Sequence, residues 1–132
     1  MGRVLGVDVG TRRTGLAISD VLGITCRPLM VFRANDTKDI VRHIITAVQE
    51  HEVEAIVVGV PRSLRGTPNQ QLAHTETVIK LLRHTVFIPV HTWDERYTTK
   101  MARRLVRSGD EVDAVAAAFM LQNYLDAQER RS

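Results

Sequence analysis

Hydrophobic positions recur along this chain in two rhythms, and the change from one to the other divides it into elements. Val4, Leu5, Val7 and Val9 form a nearly continuous apolar run, which predicts a strand over 3–9 covered on both faces. Thr14-Gly15-Leu16-Ala17-Ile18-Ser19 predicts a second strand over 14–19, and a third follows at 28–33. The turn at Gly10-Thr11 is short, so the first two strands are expected to be antiparallel neighbours. The rhythm then lengthens. Ile40, Val41, Ile44, Ile45 and Val48 recur at helical spacing through Gln49, after N-capping chemistry in Asn35-Asp36-Thr37. Ala55–Val60 is the most hydrophobic strand and Pro61 closes it.

The loop PRSLRGTPNQ (61–70) precedes a predicted helix from Gln71 to His84. Val86–His91 predicts a fifth strand, placed at an edge by Pro89, with Thr92-Trp93-Asp94-Glu95-Arg96 leaving it. A short helix is expected from Thr98 or Thr99 to Val106, ended by Ser108-Gly109. The last helix is expected from Asp110 to about Gln128, with a frayed end at 129–132. A strand–helix–strand order after a meander predicts an α/β sheet whose last strands are parallel.

At 132 residues and 44% apolar, the chain is expected to be one domain, 1–132, with a core that needs no disulfide. Its one cysteine, Cys26, excludes an internal disulfide and a paired-cysteine metal knuckle, and reads as a small buried residue of a reducing compartment. No apolar run approaches the roughly 20 residues needed to span a bilayer, and the N-terminus enters a strand at once. A cytoplasmic location is expected. The formal net charge is +3, and Lys38, Lys80 and Lys100 are the only lysines among 18 basic residues. Arginine pairs bidentately with phosphate, so this balance suits a nucleic-acid partner; a GC-rich coding sequence would give the same bias.

Three acidic positions fall where an α/β sheet places its chemistry, outside the carboxyl ends of the strands. Asp8 interrupts a buried strand, where an acid costs free energy unless paired, hydrogen-bonded or bound to a metal. Asp94 and Glu95 follow the fifth strand, and Asp113 lies in the first turn of the last helix. Each has a plainer role available. Asp113 suits a helix N-terminus, Asp94 can bond its own turn, and Glu95 can pair with Arg96 or Lys100. Asp20 either ends strand 2 or stands near the same site as an outer residue. Arg12, Arg13, Arg62, Arg65 and Arg96 lie on loops beside the site as candidate phosphate clamps, with solvated surface charge as the alternative. Lys100, Arg103, Arg104 and Arg107 either extend that basic track or keep a helix face wet. Trp93 and Tyr97 could stack on bases or simply pack.

The segments GVDVGTRRTGLAISD (6–20), VVGVPRSLRGT (57–67), WDERYTT (93–99) and VDAVAAAFMLQNYLD (112–126), in this order, resemble the YqgF family of small Holliday-junction-resolvase-like proteins. The resemblance covers almost the whole chain. It implies a ribonuclease H-like fold: a five-stranded mixed sheet, first three strands antiparallel, with helices on both faces. It also implies a magnesium-dependent nuclease, with Mn²⁺ as a substitute, that matures the 5′ end of 16S pre-rRNA. The older family assignment is resolution of four-way DNA junctions. Asp8, Glu95 and Asp113 match the family's acidic positions, which makes them the expected catalytic residues and metal ligands, with Asp8 bridging two ions. Without metal, three converging carboxylates repel, so at least one is expected to have a raised pKa. Nucleic acid is the expected partner, as pre-rRNA or structured DNA, with ribosomal particles as a further candidate, and a monomer is expected. Two departures stand out: the connection 106–110 is short for the family, and Val60-Pro61-Arg62 lacks an acid after the strand beside strand 1, so Glu95 has to reach in. Two rivals remain open. Asp8-Val9-Gly10-Thr11 with Gly15 also looks like the first phosphate loop of actin-like and sugar-kinase ATPases. The arginines would equally serve a nucleic-acid-binding accessory protein without catalysis.

Overall fold

Alternation along the strands decides which layer each residue serves. In the computed structural model, which describes residues 2–61, 70–94 and 109–131, the described strands form one five-stranded sheet. They are β1 (Arg3–Val9), β2 (Arg13–Ser19), β3 (Cys26–Arg33), β4 (Val53–Val60) and β5 (Val90–Asp94), in the order β3-β2-β1-β4-β5. β1 pairs antiparallel with β2, and β2 with β3; β1–β4 and β4–β5 are parallel. The described helices are α1 (Thr37–Glu50), α2 (Gln70–Thr85) and α3 (Gly109–Arg131).

Two cores follow from the period of two. Leu5, Val7 and Val9 of β1, Leu16 and Ile18 of β2, and Ile56, Val58 and Val60 of β4 pack with Ile40, Val41 and Ile44 of α1 and Val78, Ile79 and Leu82 of α2. The intervening residues face the other way. Ala17 and Val57 pack beneath Ala117, Met120, Leu121 and Leu125 of α3. Gly6 belongs to this second face: a Cβ there would lie 2.9 Å from Leu121 Cβ, so the missing side chain lets α3 settle onto β1. Leu121 is fully buried, and Leu121→Ala is expected to cost about 2–5 kcal/mol of stability, read by denaturant unfolding.

The α/β class, the antiparallel meander and the helices on both faces match expectation, with local shifts at boundaries. Asp36 is the N-cap of α1, its carboxylate accepting from the Lys38 amide at 3.3 Å. The fifth strand is displaced. Helix α2 continues to Thr85, the Val86 amide donates to Leu82, and Phe87 is fully exposed, so Val86-Phe87-Ile88 is not a strand. Pro89 offers its carbonyl to the Ile56 amide at 2.9 Å, and the ladder begins one residue later, at Val90 opposite Ile56. Thr92, Trp93 and Asp94 therefore lie within β5 rather than leaving it. β5 is an edge strand, as is β3, which carries Pro28. The last helix runs on to Arg131 through residues expected to fray. The short helix expected over 98–106 lies outside the described residues, as does most of the 61–70 loop. Among the described residues no helix is long and apolar enough to cross a membrane.

Candidate active site

Asp8 shares its face of β1 with Gly6, so its side chain turns toward α3 rather than toward the larger core. It is 8% exposed. Its partner across the ladder is Gly15 of β2. A Cβ on Gly15 would lie 2.0 Å from the Asp113 carbonyl oxygen and 2.7 Å from the Ala114 amide nitrogen. Glycine is therefore what permits the N-terminal part of α3 to rest directly on β2, beside Asp8. The helix starts at Gly109, which makes Asp113 its fifth residue and puts it past the first turn, where capping or the helix dipole would explain an acid.

Asp8 and Asp113 line one solvent-open cleft of about 550 Å³ at the carboxyl end of β1, together with Thr11, Arg12, Arg13, Arg33 and Gln71. Arg13 opens β2, and its Nε stands 3.1 Å from Asp113 Oδ2. That oxygen is buried and receives no well-aligned hydrogen bond, so the contact is one of charge more than of direction. Arg33 ends β3 directly opposite Arg13 in the β2–β3 register. The turn between β1 and β2 is fixed from both ends, with Gly10 donating to the Arg13 carbonyl at 2.8 Å and Ala34 to that of Arg12 at 3.1 Å.

Gln71, from the first turn of α2, holds the same turn from above. Its Nε2 donates to the Val9 carbonyl and its Oε1 accepts from the Thr11 hydroxyl at 3.0 Å. The side chain thus clasps the first and third residues after Asp8. Gln71→Glu removes the donor to Val9 and sets a second negative charge beside Asp8. It is expected to lower turnover about tenfold with a small change in substrate affinity, seen as a kcat-against-KM split in cleavage assays.

Of the expected site residues, the structure brings Asp8, Asp113, Arg12 and Arg13 to one cleft. Glu95, Arg62, Arg65 and Arg96 lie outside the described residues, as do Tyr97, Lys100, Arg103, Arg104 and Arg107. Asp94 is the exposed last residue of β5. Asp20 is not near the cleft. β2 runs antiparallel to β1, so its far end lies at the opposite edge, where Asp20 accepts from the Ile24 amide at 2.8 Å and shapes the β2–β3 turn. Trp93 packs edge-on against Tyr124, centroids 5.9 Å apart, within the α3 core. Cys26 donates to the Ala118 carbonyl at 3.1 Å; burial, aided by the nearby Asp126 charge, lifts its thiol to about 11, so it is no nucleophile near neutral pH. Gln71 and Arg33 had no signal in sequence: one stood at the end of a loop, the other at the end of an ordinary strand.

Carboxylate oxygens in a polar, open cleft are the donors that a hard divalent cation takes, with water and phosphate completing its shell. The pair Asp8 and Asp113 fits such an ion. Among the described residues no group of three or more acid, histidine or cysteine side chains forms, and the third expected ligand is Glu95.

A family model described as RuvX, Holliday junction resolvase, matches residues 2–127. The chain belongs to the RuvX (YqgF) family. A relative in Halalkalibacterium halodurans named "Putative pre-16S rRNA nuclease" is 39% identical over 96% of this chain and 98% of its own. Among solved structures, Thermus thermophilus RuvC in complex with a Holliday junction substrate aligns with a TM-score of 0.63 at 18% identity, covering 98% of this chain and 96% of that one. The yeast mitochondrial Holliday junction resolvase Ydc2 aligns at 0.64 and 9% identity, covering 98% and 80%. At these identities the RuvX chain shares the resolvases' ribonuclease H-like fold.

Proposed function

We propose that this RuvX-family chain is a magnesium-dependent nuclease that hydrolyses phosphodiester bonds of ribosomal RNA precursors at the 5′ end of 16S rRNA. It would act in the cytoplasm as a monomeric, single-domain enzyme. The observation that carries the reading is the meeting of Asp8 and Asp113 in one cleft with Arg12, Arg13 and Arg33. Paired acids suit metal-assisted hydrolysis, and arginines suit a polyphosphate strand. Relatives that match this chain over nearly their whole length carry the pre-rRNA nuclease name, which supports the choice of RNA.

Asp8, Asp113 and Glu95 would hold the metal; magnesium bound there would supply water activation and charge stabilisation for phosphodiester hydrolysis. Arg12 and Arg13 draw the strand's phosphates into the cleft, and Arg62, Arg65 and Arg96 extend that hold along the strand. Gln71 keeps the turn after Asp8 rigid, so the carboxylate does not drift from the scissile phosphate.

The test compares Mg²⁺-dependent cleavage of a precursor-rRNA fragment and a four-way DNA junction, with wild type and Asp8→Asn prepared alike. RNA cleavage lost in the variant supports the proposal. Junction cleavage alone, lost likewise, replaces RNA with DNA as the substrate. No cleavage above the variant's background favours a binding protein without catalysis.

A further inference from the structure

Thr11, Arg12 and Gln71 line two hollows at once. One is the cleft with Asp8 and Asp113; the other is an open pocket of about 580 Å³ completed by Asn35, Gln70 and His74. Three parts of the chain meet there. Thr11 and Arg12 form the β1–β2 turn, Asn35 lies between β3 and α1, and Gln70, Gln71 and His74 recur at helical spacing at the start of α2. These walls are tied together. Gln71 holds Val9 and Thr11, and the Ala34 amide donates to the Arg12 carbonyl at 3.1 Å. The pocket therefore keeps a fixed place relative to Asp8.

Its polar groups differ in kind from those of the cleft. A phosphate accepts hydrogen bonds and does not donate them, so it uses only half of what a side-chain amide offers. A nucleobase edge sets donors beside acceptors, and an Asn or Gln amide matches that pattern. His74 adds unused capacity: its Nε2 is closed off from solvent and has no hydrogen-bond partner among the described residues. A buried polar atom left so costs about 1–3 kcal/mol, which a ligand that meets it relieves. The imidazole lines the pocket, and a turn about its soft Cβ–Cγ torsion re-aims the nitrogen without moving α2.

We propose that this pocket receives one unpaired nucleobase of the substrate strand, beside the phosphate held in the cleft, and so fixes where along the strand the cut falls. In placing the base next to the scissile phosphate, the inference rests on the nuclease reading above. The base has to be unpaired, because pairing occupies the edge that the amides read. Asn35, Gln70 and His74 contact that base and not the reacting phosphate. Arg12, between the two hollows, suits the phosphate that joins the two nucleotides. Loss of the base contacts therefore shows in KM and in the position of the cut, not in kcat.

The test uses single-stranded precursor-rRNA fragments in which one nucleotide at a time, on either side of the scissile bond, is abasic. With wild type, the abasic site at one position is expected to raise KM about tenfold and leave kcat within about twofold, its neighbours having little effect. Asn35→Ala and His74→Leu are each expected to raise KM about fivefold on intact RNA and to add nothing on the fragment that lacks that base. His74→Leu keeps the bulk and removes the unpartnered nitrogen, so it is expected to melt no earlier than wild type. Asn35 is exposed and lies outside the helices, which makes Asn35→Ala a second variant that tests binding without disturbing the fold.

Equal KM values for every abasic fragment, or losses from variant and abasic site that multiply, overturn the base pocket while the nuclease reading stands. If wild type cuts no RNA, the nuclease reading falls, and the same fragments are compared by fluorescence anisotropy with Ca²⁺ in place of Mg²⁺. Losses that do not add then keep the pocket as a base-binding site; additive losses, or no binding, overturn it.

Discussion

Asp8→Asn is expected to lower Mg²⁺-dependent RNA cleavage by about 10³-fold or more, with the protein still folded and its melting temperature no lower than wild type. The asymmetry between activity and stability follows from where Asp8 lies. An amide matches the carboxylate in size and still accepts one hydrogen bond, so the packing between β1 and α3 is preserved. At 8% exposure the native carboxylate bears a desolvation cost that the neutral amide avoids. What disappears is one of the charges with which the cleft would hold a hard cation. Steady-state cleavage and thermal unfolding on one preparation check both halves. A variant that melts early would mean that Asp8 is chiefly structural; one that keeps cleaving would remove it from the metal site.

Gly15→Ala is expected to be the most damaging single-methyl change near the cleft, although residue 15 carries no chemistry. Its new Cβ would stand 2.0 Å from the Asp113 carbonyl oxygen, a backbone atom at the start of a 23-residue helix. A side chain can rotate away, whereas a helix terminus has to move as a body. Overpacking of this kind costs about 1–3 kcal/mol, and more where backbone has to give. Because α3 carries Asp113, its shift also moves the carboxylate relative to Asp8, and a misplacement of about 1 Å is enough for a loss of about 100-fold in rate. Gly6→Ala gives the contrast. Its nearest obstacle is Leu121 Cβ at 2.9 Å, near the middle of α3 and remote from Asp113, so it should cost stability with less effect on rate. Denaturant unfolding and cleavage rates, taken together for the two variants, separate packing from positioning.

The contrast between these two positions also shows what a reader of the sequence could and could not see. β1, β4 and α1 were legible because the residues that form them agree on every level: apolar runs for doubly covered strands, helical spacing for α1, and an aspartate at its cap. The fifth strand misled because Val86-Phe87-Ile88 is rich in strand formers, yet strand position is set by pairing, and the partner residues of β4 meet Val90 and not Val86. Asp8 was legible because an acid inside a buried strand demands a reason. Asp113 was ambiguous, since its place early in a helix suits any acid. What brings it beside Asp8 is Gly15, whose lack of a side chain permits a tertiary contact that no local spacing encodes. Gln71 and Arg33 escaped notice for the same reason: the fold alone puts the first turn of α2 and the end of β3 beside Asp8.

The meeting of β1 with α3 also sets a clock on synthesis. About 100 residues separate Asp8 from Asp113, roughly 5–20 s of translation at ordinary elongation rates. Through that interval the growing polypeptide already contains the first strands, with arginines suited to RNA, while it hangs beside the ribosome's own RNA. On the nuclease reading proposed above, it would lack the second carboxylate of the cleft throughout that interval. On that reading hydrolytic capacity would arrive only when the last helix emerges and docks on Gly15, and an interrupted or truncated product would be left inert.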